Sequence, residues 1–118
     1  MLATIANVNR NHWIALILDF NEAKILYGDS LGGQISAELR DILGWWTYLH
    51  SGKNFSYAQL PTTQQEDGYS CGLLTWNALA AFLLKSIALM DPRHVVEERL
   101  KVLLRVVERH NDLVRHFN

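Results

Sequence analysis

This 118-residue chain has one cysteine, no block of like charge and no apolar run long enough for a bilayer. The lone Cys71 excludes an intramolecular disulfide and any zinc site built from several cysteines. A reducing compartment is the natural setting for such a chain. The 11 basic and 12 acidic residues are dispersed and sum to a net charge of −1. Nothing in that distribution offers a nucleic-acid or membrane surface. The longest apolar stretch, residues 73–84, is interrupted by Thr75 and Asn77 and followed by Lys85. It reads as a buried helix too short to span a membrane. A charged segment followed by an apolar one is missing at the start, so no signal peptide is expected. Internal repeats and low-complexity segments are missing too. What is present is an apolar content of 49%, which excludes disorder and fits one domain with a real core.

Residues 13–18 are apolar without a break before Asp19, the pattern of a central strand covered on both faces. Asn21-Glu22-Ala23 turns the chain, and residues 24–29 return as a second strand of an antiparallel hairpin. If Phe20 pairs with Ala23, Asp29 falls opposite Ile14, on the face of His12 and diagonal to it. A register shift of one residue would separate them, so the inference is conditional. Ser36 opens a helix carrying Leu39, Ile42, Leu43, Trp46 and Leu49 on one side, and Gly52 closes it. Trp45 and Trp46 read as one semi-exposed and one core ring. Residues 54–60 alternate as a third strand that Pro61 stops. A helix is expected over residues 71–87, apolar nearly all round and therefore central. Asp91-Pro92 then starts a last helix with Val96, Leu100, Leu103, Val107 and Val114 on its apolar side. The fold class is α+β, a small antiparallel sheet packed with helices.

Cys71 stands at the start of a helix, whose unpaired N–H groups and dipole favour a thiolate. An imidazole nearby can serve as its base, and a carboxylate can fix that ring's tautomer and orientation. His12 and Asp29 are the candidates. Gln65, which precedes Cys71 by six residues, and the Cys71 N–H could hold an oxyanion. Gly72 would let a substrate backbone approach closely. Each residue alone also has an ordinary reading. A lone cysteine is commonly a small buried hydrophobe. A His before a strand is commonly a surface or capping residue, and an Asp beside Ser and Gly is an ordinary turn acid. His50, His94, His110 and His116 read as solvated, and His110 with Asp112 has no recognisable metal-ligand spacing. Only the joint order His, Asp, Gln, Cys raises the catalytic reading above these.

That order comes in three motifs: His12-Trp13 through Leu18-Asp19, Tyr27-Gly28-Asp29-Ser30-Leu31, and Gln64-Gln65 through Gly68-Tyr69-Ser70-Cys71-Gly72. Together they resemble the ubiquitin-like-protease family, the SUMO-directed cysteine proteases, over residues 3–90. The family is related in fold to adenoviral protease and more distantly to papain-like enzymes. The resemblance implies a papain-like cysteine proteinase fold with His12 as general base, Asp29 as its orienting partner, Cys71 as nucleophile and Gln65 as oxyanion donor. It implies cleavage after the Gly-Gly tail of a ubiquitin-like protein or its conjugates, with Trp13 clamping the tail. A flat ring over glycines excludes any residue with a side chain. No metal or organic cofactor, nucleic acid or membrane is implied, and an intracellular site, nuclear or cytoplasmic, is expected.

The chain departs from the family in length. Only 11 residues precede His12, and Ala6 stands near where many members have Pro. Residues 1–118 are therefore expected to form a single ubiquitin-like-protease catalytic domain in its C-terminal portion, truncated at the N-terminus. Two alternatives accompany the peptidase reading: a non-catalytic binding module or remnant, and a cysteine-dependent acyltransferase of the same fold.

Overall fold

A computed structural model describes residues 1–117. The apolar run in β2 (His12–Asp19) does lie in mid-sheet, between β1 (Leu2–Val8) and β3 (Lys24–Gly28). Ile14, Leu16 and Leu18 join Ile25 in one core cluster, covered by Leu39, Leu43 and Trp46 of α1 (Ala37–Ser51). Ala15 and Ile17 face the other way, into a cluster with Leu60 and with Ala78 and Leu79 of α2 (Cys71–Leu83). An unbroken apolar strand follows from this burial, because neither face meets water. The hairpin register is the one supposed from the sequence: Asp19 pairs with Lys24 and Ala15 with Gly28. Asp19 Oδ1 fixes the turn by accepting the N–H groups of Asn21 (3.0 Å) and Glu22 (3.1 Å).

β1 is a strand that sequence reasoning did not find. Ala3, Ala6 and Asn7 are weak strand formers, and most of β1 is exposed. It exists through its antiparallel pairing with β2, from Leu2 opposite Leu18 to Val8 opposite His12. The sheet is also not antiparallel throughout. β4 (Ser56–Gln59) runs parallel to β3, with Ile25 opposite Tyr57. Parallel neighbours need a long crossover, and α1 supplies it. Ser36 caps α1 by accepting the Leu39 N–H at 3.2 Å, and Gly52 ends it in the left-handed conformation at φ 69°. Of the Trp pair, Trp46 packs edge-on against Phe20 while Trp45 is exposed.

α2 ends at Leu83, earlier than the expected 71–87, and is apolar without being fully buried. Trp76, Phe82 and Leu83 are exposed, whereas Thr75 and Asn77 are buried. Asn77 explains both the polar interruption and the early stop. Its amide donates to the Ala88 carbonyl at 3.1 Å and accepts the Met90 N–H at 2.8 Å. The chain after Leu83 is thereby folded back along the helix instead of continuing it. Asp91 then caps a single 3-10 turn (Pro92–His94) that leads into α3 (Val95–Phe117). The apolar side expected for α3 is present in the sequence, but Val96, Leu100, Leu103, Val107 and Val114 are all exposed. Both sheet faces already carry a helix, and α3 packs mainly on the 3-10 turn beside it. No described helix is long and apolar enough to cross a membrane.

Candidate active site

His12 opens β2, and Asp29 follows the last residue of β3. Extending the register one step past Ala15–Gly28 puts Asp29 opposite Ile14, diagonal to His12. The His12 Nε2–H donates to Asp29 Oδ1 at 2.6 Å, and both side chains are largely enclosed, at 12% and 8% exposure. Asp29 Oδ1 also accepts the Leu31 N–H at 2.8 Å, and Oδ2 accepts the Tyr27 hydroxyl at 3.3 Å. Burial, followed by the Asp29 charge and this hydrogen bond, pushes the Tyr27 phenol up to about 12, which keeps it a donor. The carboxylate is thus held on both oxygens.

Cys71 is the first residue of α2 and is 7% exposed. The first turn of α2 lies against the start of β2. Thr75 Oγ1 donates to the Trp13 carbonyl at 3.0 Å, and a Cβ built on Gly72 would stand 3.8 Å from the Trp13 ring. Trp13 itself is 42% exposed, available to a ligand. Gln65 is tied to the segment after Asp29: its N–H donates to the Ser30 carbonyl at 2.7 Å, and its Oε1 accepts the Ser30 hydroxyl at 2.5 Å. One N–H of the Gln65 amide donates to the Asp67 carbonyl at 2.6 Å. An amide nitrogen carries two hydrogens, so one remains for a ligand. The structure thus joins His12 to Asp29, joins Gln65 to the residue after Asp29, and seats the Cys71 helix against the residue after His12.

Sequence reasoning gave no role to Tyr27, Ser30, Asp67, Ser70 or Thr75. Tyr27 was legible in principle, because residues two apart in a strand share a face. The others act across long sequence separations or inside an irregular loop. Ser70, 1% exposed, makes no capping bond to α2; its hydroxyl donates instead to Asp67 Oδ2. Asp67 Oδ1 accepts the N–H groups of Tyr69 (2.9 Å) and Ser70 (2.7 Å). The Ser70 hydroxyl, then these N–H groups and the Arg99 charge, hold the Asp67 carboxyl below the ordinary carboxylate range against a smaller opposing effect of burial. A carboxyl depressed by folding contributes stability above its unfolded value of about 3.9, and loses that contribution as pH falls through the lower folded value. The melting-temperature gap between the parent chain and Asp67→Asn is therefore expected to be widest near neutral pH. It should narrow as pH falls below the unfolded value of about 3.9, and a gap unchanged on acidification would contradict the assignment.

A concavity of about 410 Å³ is lined by Tyr27, Asp29, Leu60, Thr62 and Gln64, but by neither His12 nor Cys71. It backs onto the carboxylate and is not the place where a thiol would meet substrate.

Residues 1–95 match the family model described as Ulp1 protease family, C-terminal catalytic domain. The chain belongs to the Ulp1 protease family. Its fold matches a structure of SUMO protease Ulp1 with the catalytic cysteine oxidised to a sulfonic acid, at TM-score 0.61 and 27% identity over 80% of this chain. It also matches the X-ray structure of the C-terminal Ulp1 protease domain in complex with Smt3, the yeast ortholog of SUMO, at TM-score 0.56 and 26% identity over 80% of this chain. A protein named as a thiol protease of Acanthamoeba polyphaga mimivirus is 27% identical over 90 residues, 70% of this chain. The chain spans 46% of the length of each of those two Ulp1 chains and 30% of the viral protein. The Ulp1 family match stops at the start of α3, so nearly all of that helix lies beyond it.

Proposed function

We propose that this chain is the catalytic portion of a cysteine peptidase or isopeptidase that cleaves after the Gly-Gly tail of a SUMO-type ubiquitin-like modifier. The observation that carries the reading is the 2.6 Å bond from His12 Nε2 to Asp29, in a sheet whose His12-Trp13 end supports the first turn of the Cys71 helix. Asp29 fixes the ring through Nε2 and leaves Nδ1 for proton exchange with the nucleophile.

In the reaction, Cys71 Sγ attacks the carbonyl carbon of the terminal glycine. A C–S bond forms, and the carbonyl electron pair moves to oxygen. The Gln65 amide and the Cys71 N–H receive that oxyanion. His12, protonated by the thiol, gives its proton to the leaving amine as the C–N bond breaks. Water then attacks the thioester, His12 takes its proton, and the modifier carboxylate and the Cys71 thiol are released. Trp13, beside Gly72 and partly exposed, is the ring that would lie over the glycine tail. Partners of this class are a ubiquitin-like protein or its conjugates. Residues 1–118 act as one domain, and a reduced thiol nucleophile fits an intracellular setting, nuclear or cytoplasmic.

The low exposure of Cys71, 7%, favours a second reading, a non-catalytic binding module that keeps the motifs. Iodoacetamide labelling separates the two, with peptide mapping of the adduct and Cys71→Ala as the blank. The peptidase reading expects rapid labelling confined to Cys71, slowed by His12→Ala. Labelling no faster than that of free cysteine, and indifferent to His12, would favour the binding module. Transfer of a Gly-Gly acyl group to an added amine in preference to water would instead favour an acyltransferase.

A further inference from the structure

We propose that Arg99 is a positioning residue for the Cys71 site, acting from α3 through Ser70 and Asp67 on the loop that carries Gln65. The inference rests on the peptidase reading above and concerns a residue outside the segment that matches the family.

Arg99 lies in the first turns of α3, and its Nη2 donates to Ser70 Oγ at 3.0 Å. Its guanidinium carbon sits 4.9 Å from the centre of the Tyr69 ring. Ser70 immediately precedes Cys71, and its hydroxyl passes the connection on to the Asp67 carboxylate. The Asp67 carbonyl in turn accepts the Gln65 amide. One chain of hydrogen bonds therefore runs from α3 to both ends of the loop, at Gln65 and next to Cys71. Asp67 and Ser70 alone could hold the turn, but a hydroxyl rotates freely unless its acceptor side is also engaged. The Arg99 donor fills that side and leaves the Ser70 hydrogen for Asp67. It also keeps the Ser70 oxygen from turning back to cap α2, so the first-turn N–H groups stay open toward an oxyanion. The contact joins α3, otherwise packed mainly on the neighbouring 3-10 turn, to the part of the loop where a small displacement matters most for chemistry.

Two probes with different demands test this on the intact chain. Iodoacetamide needs only the thiol. The p-nitrophenyl ester of acetyl-glycyl-glycine needs the thiol and the oxyanion donors, because it passes through a tetrahedral intermediate and releases p-nitrophenolate before water frees the acyl group. Arg99→Met keeps an apolar stem over Tyr69 and removes the donor. It should lower kcat for the ester about tenfold with KM and the iodoacetamide rate both within about twofold. Arg99→Lys, which restores a cationic donor, should recover most of the loss. Equal ester turnover in the parent chain and Arg99→Met would overturn the positioning role and leave the peptidase reading standing. A parallel fall in both probes, unrelieved by Lys, would also overturn it, by making Arg99 a general structural residue. If the parent chain shows no Cys71-dependent ester hydrolysis at all, the peptidase reading falls and this inference falls with it.

Discussion

The 118-residue chain is expected to cleave a SUMO-type modifier–fluorophore about a thousandfold less efficiently than a full-length Ulp1 catalytic domain, while Cys71 remains open to a small electrophile. The reason is area rather than chemistry. The chain spans 46% of the length of the Ulp1 structures it matches, and a folded modifier needs a docking surface of about 800 Å² per partner to bind stably. Forfeiting about 4 kcal/mol of binding that persists in the transition state costs about a thousandfold in kcat/KM, at tenfold per 1.36 kcal/mol. The loss should be concentrated in substrates recognised through a whole modifier and be small for a short Gly-Gly ester. Measuring kcat/KM for both substrate types, with Cys71→Ala as the blank, checks this. Turnover of the modifier substrate at the rate of the longer domain would show that residues 1–118 already hold the complete recognition surface.

The second large effect is expected at the His12–Asp29 pair. On the peptidase reading, His12→Ala should lower kcat for the short ester about 10²- to 10⁴-fold, because the thiol would lose its base and the leaving group its acid. Asp29→Asn is the sharper variant. Its side-chain oxygen still accepts the Leu31 N–H, so the turn after β3 keeps its brace. What it removes is the negative charge 2.6 Å from His12 Nε2, which on the peptidase reading would stabilise an imidazolium during turnover. A fall of about 10²-fold or more in kcat with a near-parent melting temperature is expected. A change of less than about threefold in both variants would place His12 and Asp29 in a structural hydrogen bond instead.

Much of the site was readable because short-range rules fix it. Strand parity and a two-residue turn put Asp29 and His12 on one face, and the register from Asp19–Lys24 to Ala15–Gly28 is what that reasoning required. Gly52 in the left-handed region and Ser36 at its cap bound α1 where their chemistry predicts. The burial of residues 14–18 followed from their unbroken apolarity. The early end of α2 was not readable. Residues 84–87 have no strong helix breaker, and it is the Asn77 side chain, reaching Ala88 and Met90, that turns the chain back.

By itself, then, the sequence determined the cysteine at a helix start, the His–Asp pair, the α+β class and the order of the motifs. These depend on periodicity, caps and turn residues, which act over a few positions. Tertiary structure alone decided the parallel pairing of β4, the recruitment of β1, the exposure of the apolar side of α3, and the chain from Arg99 through Ser70 and Asp67 to Gln65. Those outcomes turn on which surfaces meet and which hydroxyls find a second partner. Arg99 and Ser70, 29 positions apart, bond across space, and Lys24 pairs with Ser56 only because α1 closes the crossover between β3 and β4.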